Sequence, residues 1–392
     1  MLIEFLLFII HNYLSSSCST INYIVKWGYM SFFNFSNIQK ARFHSPFIRN
    51  INYFKMASHT FFESKILNKT ITYPKLINFL ISMKCNLRCE VCHAHDALTT
   101  SNKTDLSLET ILTFIQQCRS FSPDWHFSGG EPFAKKELPQ IINEIHKQKM
   151  RSSLVSNGLL ISPKVLEKFQ KNALCAIIFS IMGDAKNHDK EVLKQGAFKS
   201  LLENISMFSH YQKDCKIFLN LILTPSLIEN IDQVFQDIKG LPITGIKFTH
   251  LNYLTSIEIE QHKQYAKQHD FLNTKAYSYL NNFDMKQYLK TLKKVNFEKS
   301  PFPYQFAPDL SMNELDSWHT NNFKSSRKCH FIWHSTFLYP DGEIKSCQFL
   351  QEPMGNITNH TMKEIWNSEK YQKFRHSITN KQSSACSRCC KL

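Results

Sequence analysis

Three cysteines stand within eight residues, Cys85-Asn86-Leu87-Arg88-Cys89-Glu90-Val91-Cys92, directly after the apolar run Ile77-Asn78-Phe79-Leu80-Ile81-Ser82-Met83. Three thiolates on one tight loop can hold three irons of a [4Fe-4S] cubane and leave the fourth iron open to chemistry. A cubane normally takes four cysteines, and a structural zinc ion is usually held by two separated pairs of ligands. On spacing alone, a zinc knuckle completed by His93 or His95 competes with the cluster. A second set follows near the C-terminus: Cys329 and Cys347, spaced C-x12-G-x4-C around Gly342, then Cys386-Ser387-Arg388-Cys389-Cys390. These two separated pairs form a four-thiolate site, Cys329, Cys347, Cys386 and Cys389, that suits zinc or [4Fe-4S] equally.

Something must present these residues together. Between about residue 74 and residue 254, short apolar runs alternate with longer periodic segments, which predicts repeated strand-helix units and a parallel sheet. The expected strands are 77–83, 124–128, 152–156, 176–181, 216–223 and 244–250. Ser162-Pro163 reads as a helix start, and Ser226-Leu227-Ile228-Glu229 as a capping box. Leu227, Ile228, Ile231, Val234, Phe235 and Ile238 then recur at spacings that make one buried face.

Such a series closes partly into a TIM-like (β/α)6 barrel, an α/β fold whose functional loops lie at the C-terminal ends of the strands. The cysteine triplet ends the first strand, Gly129-Gly130-Glu131-Pro132 the second, Ser156-Asn157-Gly158 the third, and Ser180 to Asp184 the fourth. All four face one mouth. Residues 255–325 read as a helical connector broken at Pro301-Phe302-Pro303. Residues 326–392 read as a small hairpin-plus-helix domain, with an Asp341-Gly342 turn and a helix near 362–374.

The chain has 392 residues, 43% of them hydrophobic, enough for two or three domains with full cores. Its net charge of +15 is spread along helical segments without an aromatic-interleaved basic stripe, which argues against a nucleic-acid partner and leaves an RNA-modifying enzyme as an alternative. The twelve cysteines fall into the triplet, the C-terminal group and singles such as Cys118, Cys175 and Cys215, a pattern that favours metal in a reducing compartment, the cytoplasm. The apolar start, Met1 to Ile10, carries Glu4 where an export signal needs basic residues and is too short to span a bilayer, so no membrane association is expected. Residues 1–60 lack periodicity and read as disordered or as lying upstream of the true start, with Met30 and Met56 as alternatives.

Together, the triplet, the strand before it and Gly129-Gly130-Glu131-Pro132 resemble the radical S-adenosylmethionine (SAM) superfamily. The resemblance implies that Cys85, Cys89 and Cys92 bind a [4Fe-4S] cluster whose open iron SAM chelates, and that reductive cleavage of SAM yields a 5'-deoxyadenosyl radical that abstracts a hydrogen atom. It assigns Gly129, Gly130 and Glu131 to the SAM amino group, and Ser156, Asn157 and Ser180 to positions near SAM, with Asp184 and His188 beyond. Where the family often has an aromatic residue or His before the third cysteine, this chain has Val91. Cys329 to Cys347, Met354-Gly355-Asn356-Ile357 and Glu364-Ile365-Trp366-Asn367 are similar to the SPASM/twitch extension. That likeness implies one auxiliary [4Fe-4S] cluster for electron transfer, with Cys390 a spare or an alternative to Cys389.

The implied partners are a reductant such as flavodoxin or ferredoxin and a peptide or small-molecule substrate. A non-catalytic iron-sulfur or zinc protein on the same scaffold is the contrasting reading. Asp184, His188, His250, Glu258 and His262 are the candidates for a later base, with nothing to choose among them.

Overall fold

The computed structural model describes residues 73–89, 92, 105–271, 284–319, 323, 327–380 and 382–390. The expectations for residues 1–60, Val91, His93 and His95 therefore lie outside the described residues.

The sheet begins with β1 (Leu76–Ser82), β2 (Asp124–Gly129), β3 (Ser152–Ser156), β4 (Ala176–Ile181), β5 (Lys216–Ile222) and β6 (Gly245–Thr249). It is extended by β7 (Tyr304–Ala307), β8 (Ser335–Leu338), β9 (Glu343–Lys345) and β10 (Pro353–Asn356), in the order β10-β9-β8-β1-β2-β3-β4-β5-β6-β7. From β8 to β7 every pairing is parallel. The principal helices are α1 (Leu108–Cys118), α2 (Leu138–Lys147), α3 (Ala197–Tyr211), α4 (Ile231–Ile238), α5 (Ser256–Gln268), α6 (Met312–Trp318), α7 (Met362–Asn367) and α8 (Glu369–Asn380).

Alternation explains why the strands pack as they do. Ile77, Phe79 and Ile81 of β1, like Ile177, Phe179 and Ile181 of β4, are buried in the core shared with the helices. α1 answers with Ile111, Phe114, Ile115 and Cys118 at helical spacing, behind a Ser107 cap whose side chain accepts from Thr110 N. Cys118 is thus a core thiol, and burial pushes its pKa up.

Two local expectations are corrected. The helix that opens the fifth unit is capped by Thr224, which accepts from Leu227 N, with Pro225 at its first turn. Ser226 therefore lies inside the helix, and its hydroxyl reaches Glu191. The apolar face from Leu227 to Ile238 is buried, although the helix breaks at Asn230 before α4 begins. Within the segment read as a helical connector the structure places β7, which pairs with β6 from Ile246↔Tyr304 to Thr249↔Ala307. Pro301 and Pro303 stop helix there, and Tyr304 and Phe306 pack against Phe248.

The C-terminal hairpin continues the main sheet. β8 pairs with β1 from Leu76↔Ser335 to Phe79↔Leu338 and turns back antiparallel into β9. Asn78 fixes this seam by donating to Ser335 Oγ at 2.7 Å and to the Thr336 carbonyl at 3.1 Å. No helix among the described residues is long and apolar enough to cross a membrane.

Candidate functional site

The triplet leaves the end of β1 as a tight loop. Cys92 N donates to the Cys89 carbonyl, Leu87 N points at Cys85 Sγ at 3.4 Å, and Arg88 folds back onto the carbonyls of Cys85 and Leu87. Cys85 and Cys89 border a small apolar cluster of Leu87, Met182, Val192 and Ala197.

The end of β2 is zipped to the backbone that leads into this loop. Gly130 N donates to the Ser82 carbonyl and Glu131 N to the Lys84 carbonyl, each at 2.8 Å. A Cβ on Gly129 would stand 2.5 Å from Ser82 O, and one on Gly130 would stand 2.3 Å from Lys84 O. Gly129 also has φ +115°, which side-chain-bearing residues rarely adopt. The glycines thus let backbone pack on backbone at this strand end.

Glu131 is 1% exposed and holds the third strand's loop. Its Oε1 accepts from Ser156 Oγ at 2.8 Å and Phe133 N at 3.1 Å, and its Oε2 accepts from Asn157 N at 2.8 Å. Burial raises its pKa to about 6 against the pull of these donors. Asn157 then closes the circuit: its Nδ2 donates to Asn86 Oδ1 at 2.9 Å and lies 3.9 Å from Cys85 Sγ. Cys85, Glu131, Ser156 and Asn157 are therefore one connected unit at one mouth.

Ser180 stands apart from that network, opposite Asn220 on β5. Asp184 caps the next helix through Asn187 N, and buried His188 accepts from Met182 N with its pKa lowered to about 4 by burial. Both have structural work. Of the other proposed bases, Glu258 is engaged with Arg388, and His262 is buried against Ser383 at 2.8 Å. His250 is buried between Phe306 and Trp318, where burial lowers its pKa to about 4.

The second cysteine set converges on one apolar cavity. Cys329, Cys347, Cys386 and Cys389 line it together with Phe331, Phe337, Phe349, Leu350 and Ile378. Cys390 is not among the lining residues, and Gln348 Nε2 lies 3.9 Å from its sulfur.

Both donor sets fit iron-sulfur clusters. Burial pushes the Cys89 thiol up to about 12, and the nearby charges of Cys92 and Cys85 oppose its ionisation further. Burial likewise raises Cys329 to about 11 and Cys386 well above its ordinary value, with Cys347 adding to both. Thiols gathered where each makes the next harder to ionise are stabilised as thiolates by a cationic metal core. Among the described residues, no three His, Cys, Asp or Glu side chains are drawn together as tightly as one bound ion would hold them.

Sequence reasoning missed Arg388, although it stands inside the quoted Cys386-Ser387-Arg388-Cys389. An arginine inside a Cys-x2-Cys pair was the available signal.

Comparison with known proteins agrees with this geometry. The radical SAM superfamily matches residues 79–237, and an iron-sulfur cluster-binding domain, SPASM, matches residues 329–390. The chain is 29% identical to the Fe-coproporphyrin III synthase of Methanosarcina barkeri over 174 residues, 44% of this chain and 43% of that protein. It is 24% identical to the AdoMet-dependent heme synthase of the same organism over 311 residues, 77% of this chain and 85% of that protein. The fold is shared with Streptococcus suis SuiB bound to its precursor peptide SuiA, at TM-score 0.58 and 13% identity, covering 91% of this chain and 79% of that one. The chain carries a radical SAM domain and a C-terminal SPASM domain, which imply SAM, a [4Fe-4S] cluster and auxiliary iron-sulfur as its cofactors.

Proposed function

We propose that this protein is an oxidoreductase that removes a hydrogen atom from a carbon of a peptide or small-molecule substrate, drawing electrons from a flavodoxin- or ferredoxin-like donor in a reducing cytoplasm. In this reading Cys85, Cys89 and Cys92 hold the first cluster, and Cys329, Cys347, Cys386 and Cys389 hold an auxiliary [4Fe-4S] cluster that relays electrons. When bound, the first cluster and SAM supply one-electron cleavage of SAM and, through it, hydrogen-atom abstraction from an unactivated carbon.

The chain's own residues position and exclude. Gly129 and Gly130 let the end of β2 lie on the backbone that enters the cysteine loop. Glu131 and Ser156 fix the end of β3, Asn157 steadies Cys85, and Ser180 offers a hydroxyl one strand further along for SAM. The observation that carries the reading is Asn157, hydrogen-bonded through its backbone to Glu131 and set 3.9 Å from Cys85 Sγ through its side chain. A heme synthase resembles the chain in sequence and a peptide-bound enzyme shares its fold, which supports a small molecule or a peptide as the substrate.

The test is anaerobic reconstitution with iron and sulfide, followed by dithionite and SAM. 5'-Deoxyadenosine should form with the native chain and fall at least ~100-fold in Cys85→Ala, Cys89→Ala and Cys92→Ala, about 3 kcal/mol of barrier. A filled first site that yields no 5'-deoxyadenosine would overturn the reading.

A further inference from the structure

Arg388 lies between Cys386 and Cys389, and its side chain and that of Glu258 on α5 are each 1% exposed. Its Nη1 donates to both carboxylate oxygens of Glu258, at 2.8 and 2.7 Å, and its Nε donates to the Trp318 carbonyl at 2.6 Å. The guanidinium also lies 4.2 Å from the centre of the Tyr253 ring, just beyond β6. Glu258 in turn closes the N-terminus of α5, accepting from Thr255 N at 2.8 Å and from its hydroxyl at 3.0 Å. Two more bonds bind the same surfaces, Ser384 Oγ to the Glu258 carbonyl and the His262–Ser383 pair. The loop that carries the last cysteines is thus seated on α5 and on the segment after β6.

A buried pair of this kind contributes little net stability, but losing one partner leaves an uncompensated charge in a low-dielectric place. Here that place adjoins two of the four cysteines. Reduction adds one negative charge to an iron-sulfur cluster, so a lone buried charge nearby shifts its potential, whereas a closely matched pair presents only a dipole.

We propose that the Glu258–Arg388 pair positions the Cys386–Cys389 loop and sets the reduction potential of the auxiliary cluster by keeping that side of its pocket neutral overall. This rests on the reading of Cys329, Cys347, Cys386 and Cys389 as cluster ligands. Glu258→Gln removes the carboxylate that faces the guanidinium and raises the potential. Arg388→Met leaves the carboxylate and lowers it. Arg388→Lys preserves the charge pattern, and the double variant Glu258→Gln with Arg388→Gln preserves neutrality, so both stay near the native value.

The experiment is an EPR-monitored redox titration of the reconstituted enzyme, with iron and sulfide counted and the first cluster as internal reference. Shifts of opposite sign in the two single variants, with the lysine and neutral double variants unshifted, support the proposal. Loss of only the auxiliary cluster in the single variants, with retention in the neutral double, also supports it, because a structural collapse would empty both sites. Shifts of the same sign, no shift with both clusters loaded, or loss in all four variants overturns it. A native enzyme holding about four irons instead of about eight would fail the ligand reading itself, a distinct result.

Discussion

Among single residues, Glu131 carries most of the organisation at the mouth. The family resemblance assigns its charge to the SAM ammonium, and in the fold the same carboxylate accepts from Phe133 N, Ser156 Oγ and Asn157 N. The motif singles Glu131 out, but its partners are not readable from the sequence, because strand ends meet only once the sheet is built. Glu131→Gln keeps an acceptor for Ser156 and turns an amide donor toward the Asn157 N–H. A buried donor left facing a donor costs about 1–3 kcal/mol. The expected result is a lower melting temperature and weaker SAM binding by equilibrium dialysis, with the C-terminal cluster still loaded. Unchanged SAM affinity would assign Glu131 to stability alone.

Among the elements, the seam between β1 and β8 decides where the second cysteine pocket stands. Asn78→Leu removes the donor to Ser335 Oγ and the Thr336 carbonyl while keeping an apolar volume. Losing this buried pair should cost about 2 kcal/mol. Hydrogen exchange checks it: amides of Ser335–Leu338 should exchange faster, while those of β4 change little. Equal acceleration in both strands would mean that Asn78 supports the whole sheet and not this seam.

The same seam shows what the sequence did and did not disclose. The strands of the barrel fall within one or two residues of their expected bounds, because Val, Ile and Phe runs alternating with periodic helices leave little choice. The continuation through β8 was hidden, because pairing of strands so distant in the chain has no local pattern. Asn78 in the middle of a largely apolar run was its faint trace. β7 was hidden for another reason: its four residues are too short to establish a period and lie among polar helices.

Across the described residues, His188, His250 and His319 are buried histidines that oppose acid. Burial lowers His188 and His250 to about 4, and burial with the nearby charges of His250 and Arg388 lowers His319 to about 3. The unfolded chain protonates these rings near pH 6.5, so they contribute stability that is full above that pH and is lost as pH falls toward 4. Glu131 acts in the opposite sense. With its folded pKa raised to about 6, its contribution is full below about 4.5 and is lost as pH rises through 6. Among these four described groups, three rings against one carboxyl leave a net loss on acidification, on the order of 2–3 kcal/mol per pH unit near pH 5.5. Melting temperatures of the anaerobic holoenzyme should therefore fall between pH 7.5 and 5.5. His250→Asn should flatten that net slope by about two fifths, since one of the three rings is gone while Glu131 still opposes the others, and its Nδ1 has no hydrogen-bond partner to strand. Glu131→Gln should steepen the slope, because the opposing group is removed. A melting temperature that rises on acidification, or a His250→Asn slope equal to the native one, would show that other groups govern the acid response.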